Sequence, residues 1–146
     1  MKKVIASILI IISLFIITGC SYKGNNNNDN NSNEEIKSVK AIINDKEYII
    51  NLEDNATAKS FVEMIPKEYT MSELNGNEKY IYIEKTLPTN SYKPRNINAG
   101  DVMLYGNDCL VIFYKSFNTT YSYTKIGHID GLPNLGNGSI NVKFEI

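Results

Sequence analysis

A mainly β domain, closed or nearly closed into a barrel, is the fold that the sequence predicts. Three observations predict it. Seven or eight short segments beyond residue 36 alternate apolar with polar residues or run apolar throughout. Only one segment carries an apolar stripe at helical spacing. Helix and strand do not alternate along the chain, so βαβ units and a parallel sheet are not expected. Closure is expected because it removes exposed strand edges.

Ahead of that domain, Lys2 and Lys3 precede an apolar run of 14 residues, Val4 to Ile17, broken only by Ser7 and Ser13. As a helix this run spans about 21 Å, at about 1.5 Å per residue. A bilayer core needs about 30 Å, so residues 1–19 are predicted to be a signal peptide rather than a membrane-spanning helix. Ile17-Thr18-Gly19-Cys20 then resembles a bacterial lipobox: one aliphatic residue, two small ones, a cysteine. That resemblance implies diacylglycerol on the Cys20 thiol, cleavage before Cys20, and residence on the outer face of the bacterial cytoplasmic membrane. The alternative is that Cys20 merely ends an ordinary signal peptide or an uncleaved anchor. Acyl chains contribute about 0.8 kcal/mol per buried methylene, so two or three chains hold a protein stably. Cleavage also removes Lys2 and Lys3 and leaves 13 basic against 16 acidic residues. Attachment is therefore expected to rest on the acyl chains, not on attraction to anionic lipid.

Residues 20–35 hold seven of the chain's 20 asparagines and only one large apolar side chain, Tyr22. Such a segment buries too little surface to offset its ordering entropy, and a disordered tether is predicted. The domain occupies 36–146. Val39, Ala41 and Ile43 share one strand face, and Asn44-Asp45 suits a two-residue turn because both tolerate positive φ. Tyr48, Ile50 and Leu52 complete a hairpin. Over Asn55–Ile65, Ala58, Phe61, Val62 and Ile65 fall on one helical stripe, with Asp54 or Asn55 as cap and Pro66 as stop. Tyr80–Ile83 alternates aromatic and aliphatic residues. Leu87–Ala99 is predicted to be a long loop. Asp101–Tyr105 and Cys109–Tyr114 flank the turn Gly106-Asn107-Asp108, and the second of these is apolar on both faces. Tyr121–Ile129 is predicted to be a strand, 131–138 a loop, and Ile140–Ile146 a half-buried final strand.

This order of elements, with Asp54-Asn55-Ala56-Thr57-Ala58-Lys59-Ser60-Phe61, Gly100-Asp101-Val102-Met103-Leu104-Tyr105-Gly106, Leu110–Lys115 and Ile126-Gly127-His128-Ile129-Asp130, resembles the bacterial cyclophilin-like domain. Asn75-Gly76-Asn77-Glu78-Lys79-Tyr80 and Leu87-Pro88-Thr89 carry the same resemblance. It implies a closed eight-stranded barrel with one or two short helices. True cyclophilins carry a Phe-His-Arg segment and a Gln-containing Gly-Asp-Phe segment. Here there is no Phe-His-Arg, the sole arginine is Arg95 in Lys93-Pro94-Arg95-Asn96, and Gly100-Asp101 lacks the following Phe. No residue can therefore be matched to the catalytic arginine.

Net charge is −1 over 146 residues, which gives no support for nucleic-acid binding. One histidine excludes a multi-histidine metal site, and no phosphate-cradling loop or nucleophile–base set is visible, so no cofactor or metal is expected. With Cys20 acylated, Cys109 has no disulfide partner; its apolar run suits a buried small hydrophobe better than a reactive thiol. His128 lacks a named partner in sequence and fits a structural role. The ten tyrosines are the stronger lead, since a large ring with a hydroxyl suits a wet recognition groove. Tyr82, Phe113, Tyr121 and Tyr123 are the candidate ligand-binding residues, with Arg95 at the rim. The competing role for these rings is to cover strand faces, and for Arg95 that of a solvated loop cation. The expected function is a noncatalytic module binding a peptide or small molecule. The alternative is an extracytoplasmic prolyl isomerase with a divergent site.

Overall fold

In the computed structural model, residues 35–146 are described. The signal segment 1–19, Cys20 and all of the 20–35 tether except Glu35 lie outside the described residues. The elements are β1 (Ser38–Ile43), β2 (Lys46–Leu52), α1 (Ala56–Val62), β3 (Lys67–Leu74), β4 (Glu78–Tyr82), β5 (Asn96–Ile97), β6 (Asp101–Tyr105), β7 (Cys109–Phe113), β8 (Phe117–Asn118), β9 (Thr124–Ile129) and β10 (Ile140–Glu145). Eight of the strands close a barrel in the order β1-β10-β3-β4-β7-β6-β9-β2, and β5 and β8 form a separate two-stranded ribbon. Every neighbouring pair is antiparallel.

The period-two pattern fills the lumen. Val39, Ala41 and Ile43 of β1 point inward and meet Ile140, Val142 and Phe144 of β10 in one buried cluster. Asn44 and Asp45 have φ of 46° and 66°, the two positive values that a tight hairpin turn between twisted strands requires. Gly127 on β9 allows β2 close: a Cβ there would stand 2.5 Å from the Asn51 carbonyl oxygen. The helix is capped by Asn55, whose Oδ1 accepts from the Ala58 N–H at 2.8 Å, while its Nδ2 donates to the Lys125 carbonyl at 2.8 Å. Asp54 instead pairs with Lys59 at 2.7 Å. The helix buries Ala58 and Phe61, and the Phe61 ring meets Phe144 edge-on at 5.1 Å.

Two sequence expectations need correction. The helix ends at Val62 rather than Ile65, because Pro66 drives the residue before it out of the helical region. Met64 and Ile65 close the end with bonds to the Phe61 and Val62 carbonyls. Second, β9 starts at Thr124, so Tyr121 and Tyr123 precede it. Tyr123 instead exchanges both backbone bonds with Tyr92, at 2.9 and 3.0 Å. Between the helix and β4, where the sequence announces no element, β3 is a strand: Met71 is its one fully buried side chain.

The Leu87–Ala99 segment is a loop with anchors. Leu87 N–H donates to the Asn107 carbonyl at 2.8 Å, Thr57 Oγ1 to the Pro88 carbonyl at 2.6 Å, and Thr119 N–H to the Arg95 carbonyl at 2.8 Å. The first ties it to the turn between β6 and β7, the second to α1 and the third to the segment between β7 and β9; the loop and that segment both lie over the outer face of β6 and β7. A second buried cluster forms there: Ile97, Met103, Cys109, Val111, Phe113 and Tyr123.

Phe144→Ala should lower stability by about 3–5 kcal/mol, since it removes the ring on which Phe61 and Tyr69 pack. Urea unfolding followed by circular dichroism measures it, and a loss under about 1 kcal/mol would contradict this description of the core.

Candidate functional site

The outward face of β4 presents Glu78, Tyr80 and Tyr82, because alternate residues share a face. In register across the β4–β7 pair stand Phe113, Val111 and Cys109. Lys79 points the other way and is fully buried. Its Nζ donates to the Gly136 and Gly138 carbonyls at 2.6 and 2.7 Å and sits 4.9 Å from the centre of the Tyr114 ring. Desolvation holds its pKa below the ordinary lysine value.

Over the outer face lies a cavity of about 500 Å³, the size of a typical small-ligand cleft. Tyr80 and Tyr82 wall one side, with ring centres 6.1 Å apart and planes at 85°. Tyr105, Tyr121 and Tyr123 wall another: Tyr105 lies 6.0 Å from Tyr121 and 5.6 Å from Tyr123. Phe117, Asn118, Thr119 and Thr120 bring one rim, and Leu74, Asn75 and Asn77 another. Asparagine and threonine side chains at the rims supply donors and acceptors around an aromatic interior.

Of the five residues singled out in the sequence, the structure brings Tyr82, Tyr121 and Tyr123 to this cavity. Tyr82 and Tyr121 are 63% and 62% exposed, whereas Tyr123 is buried. Phe113 is 0% exposed; it lies behind the lining, against Phe117 at 5.6 Å and Tyr123 at 5.4 Å, and supports the wall without facing the cavity. Arg95 is exposed, with φ of 64°, and is not among the lining residues; only its carbonyl, through Thr119, touches the rim.

Sequence reasoning missed Glu78, Tyr80 as a lining residue, and Tyr105. Glu78 is the sole residue in the lining that carries a formal charge when ionised at neutral pH. Burial, and then the Glu73 carboxylate, push its pKa up to about 7. Glu73 is itself held by the Tyr114 hydroxyl, which donates at 3.1 Å, and by the Gly76 N–H. A signal existed: Glu78, Tyr80 and Tyr82 stand at i, i+2 and i+4, a carboxylate on the tyrosine face. Cys109 also lines the cavity, and burial pushes its thiol up to about 11, so it stays protonated and unreactive at neutral pH.

His128 belongs to a different cluster. Its Nδ1 lies 3.0 Å from Asp101 Oδ1, and Lys125 Nζ lies 3.5 Å from the same oxygen. Asp101 Oδ2 accepts the Asn98 N–H at 2.9 Å, which fixes the entry into β6. None of these groups lines the aromatic cavity. Among the described residues, no group of three or more His, Cys, Asp or Glu side chains is placed to hold a metal ion.

A closed eight-stranded antiparallel barrel with a single short helix, its cavity on the outer wall rather than in the lumen, is a fold of the cyclophilin type. The chain belongs to the cyclophilin-like family, whose model matches residues 41–145. Neither the curated proteins nor the solved structures include a match to it.

Because the Glu78 pKa is higher folded than unfolded, the folded state binds more protons between about 4.5 and about 7. Its contribution to stability should therefore be fully present below pH 4.5 and be lost as pH rises through 7. Glu78→Gln should flatten that decline, as measured by urea midpoints at pH 5 and pH 8; an unchanged decline would contradict the assignment.

Proposed function

We propose that this chain is a lipid-anchored extracytoplasmic protein whose cyclophilin-like barrel is a noncatalytic module binding a peptide segment or small molecule. The observation that carries the binding role is the cavity of about 500 Å³ walled by five tyrosines on the outside of a filled barrel. A barrel whose lumen is packed with side chains offers no room inside, so recognition falls to this outer face. Rings with hydroxyl tips bury apolar area while keeping hydrogen-bonding groups at the edge, which suits a ligand with both characters. The noncatalytic part is supported by what the lining holds: a protonated thiol, tyrosines and a carboxyl, with the only arginine outside it. The anchor is supported by the sequence of 1–20: paired lysines, 14 apolar residues and Ile17-Thr18-Gly19-Cys20.

Titration of labelled protein with a panel of small fragments and short peptides tests the binding role. Binders should shift the amide signals of 78–82 and 119–123, and a panel with no such binder would defeat the reading. For any binder found, Tyr82→Ala with Tyr121→Ala should weaken affinity at least about tenfold while changing stability by under about 0.5 kcal/mol, because both side chains are largely exposed. Proline isomerisation above background in a coupled-protease assay would overturn the noncatalytic part.

The anchor has its own test. Tritiated palmitate should label the wild-type protein, and mass spectrometry should find acylated Cys20 as the mature N-terminus. Cys20→Ser should abolish the label; persistent labelling, or an unmodified N-terminus elsewhere, would overturn the lipoprotein assignment.

A further inference from the structure

The outer cavity combines an aromatic enclosure with one isolated carboxyl. Five tyrosines and Phe117 line it, and Glu78 is the one formally charged residue among them. The Glu78 carboxyl makes no hydrogen bond or ion pair among the described residues, although eight lysine–carboxylate ion pairs are formed elsewhere among them. Its oxygens are nonetheless not sealed in: the one fully buried side-chain polar atom without a partner among the described residues is the Tyr69 hydroxyl. A half-buried carboxyl that faces a cavity without an internal partner is complementary to a cation that enters from outside.

The rings supply the second half of the recognition. Tyrosine faces attract cations through the ring quadrupole, most strongly where water is excluded. Neighbouring rings stand at 85° in the Tyr80–Tyr82 pair and 88° in the Tyr105–Tyr121 pair, so the walls present rings in more than one orientation. The same strand already shows this chemistry on its other face, where the Lys79 ammonium is buried over Tyr114. A metal ion fits less well, because one carboxylate among aromatic rings supplies too few oxygen ligands.

We propose that the cavity receives an alkylammonium group, borne by a small molecule or by a lysine side chain, with Glu78 as its counter-ion and the tyrosine rings as its enclosure. This rests on the reading that the cavity is a binding site, and narrows the ligand to one class. The groups around Glu78 are Glu73 on β3, Cys109 on β7, Tyr114 just after it, Tyr123 ahead of β9, and Tyr80 and Tyr82 on its own strand. Lys115 reaches the turn at Gly76 but does not line the cavity. An entering cation favours the ionised carboxyl, so binding releases the proton that Glu78 holds near neutral pH, where its pKa is about 7.

Calorimetric and spectral titrations with two matched pairs test this: choline against 3,3-dimethyl-1-butanol, and acetyl-Ala-Lys-Ala-amide against its norleucine counterpart. At pH 8 the cationic member of at least one pair should bind at least tenfold more tightly than its neutral match. The pair that discriminates names the source as a small-molecule ammonium or a peptide lysine. Affinity for that cation should fall about tenfold from pH 8 to pH 6, following the ionised fraction of Glu78, while the neutral match stays level. Glu78→Gln should erase both the preference and the pH slope without moving the neutral affinity. Equal binding of cation and neutral match that shifts the Tyr82 and Tyr121 signals would overturn the cation assignment and leave the cavity as a binding site. Retention of the preference in Glu78→Gln would overturn it too. No binding of any of the four probes would also defeat it, whereas the binding role falls only with the wider panel.

Discussion

Strand β7 has no face left for water, and much else in the domain follows from that constraint. Leu110 and Ile112 point into the lumen, while Cys109, Val111 and Phe113 point outward, and all five are buried. A barrel wall normally needs only its inner face covered, because the outer one meets solvent. Here the outer face is as apolar as the inner one, so something must lie on it. The Leu87–Ala99 loop and the segment between β7 and β9 do so, stitched together by the β5–β8 ribbon and the Tyr92–Tyr123 bridge. Ile97, Phe117 and Tyr123 are the side chains they contribute to the cover. The candidate site is the part of that cover that does not close.

The same constraint sets the electrostatics. Glu78 stands opposite Phe113 in the β4–β7 register, at the margin of the covered zone. Burial by this second layer is the main cause of its raised pKa. On a bare outer wall the same carboxyl would be solvated and ordinary. Lys79, one residue on, is buried by the lumen instead and meets carbonyls of the 131–138 loop. Adjacent residues of opposite charge thus occupy opposite sides of the wall. One is satisfied within the protein; the other faces an open cavity.

How much of this could be read from the sequence follows from how local each signal is. The β1–β2 hairpin is written in Asn44-Asp45 and its flanking alternation, and the final strand in Ile140, Val142 and Phe144. The apolar run Leu110–Tyr114 correctly announced a strand buried on both sides. β3 escaped because polar residues fill most of its eight positions, and the neighbouring strands that bury Met71 lie far off in sequence. Tyr82, Tyr121 and Tyr123 could be picked out by type. Phe113 could not be assigned to a layer, because the residues that cover it, Phe117 and Tyr123, come from a segment without regular period. Arg95 drew attention as the only arginine, yet position in the chain says nothing about which way a loop turns. Glu78 was missed because its burial is created by residues some 30 to 45 positions downstream, although its phase with Tyr80 and Tyr82 was visible.

The chemistry of the lining bears on what such a site can do. Bond-making sites need a nucleophile or a base poised near neutral pH, and a second group to orient it. Cys109 is pushed away from its thiolate by burial and by Asp108, and burial also raises the Tyr123 hydroxyl. Burial brings the pKa of Glu78 to about 7, and among the described residues no hydrogen bond orients it for proton transfer. Recognition asks for less: shape, rings, rim groups that make hydrogen bonds, and one charge whose pairing gains from the low-dielectric surroundings. A partnerless carboxyl is costly in an empty cavity, and a ligand that supplies the missing positive charge relieves that cost. The unpaired carboxyl is thus the feature that would make the site selective for a positively charged ligand.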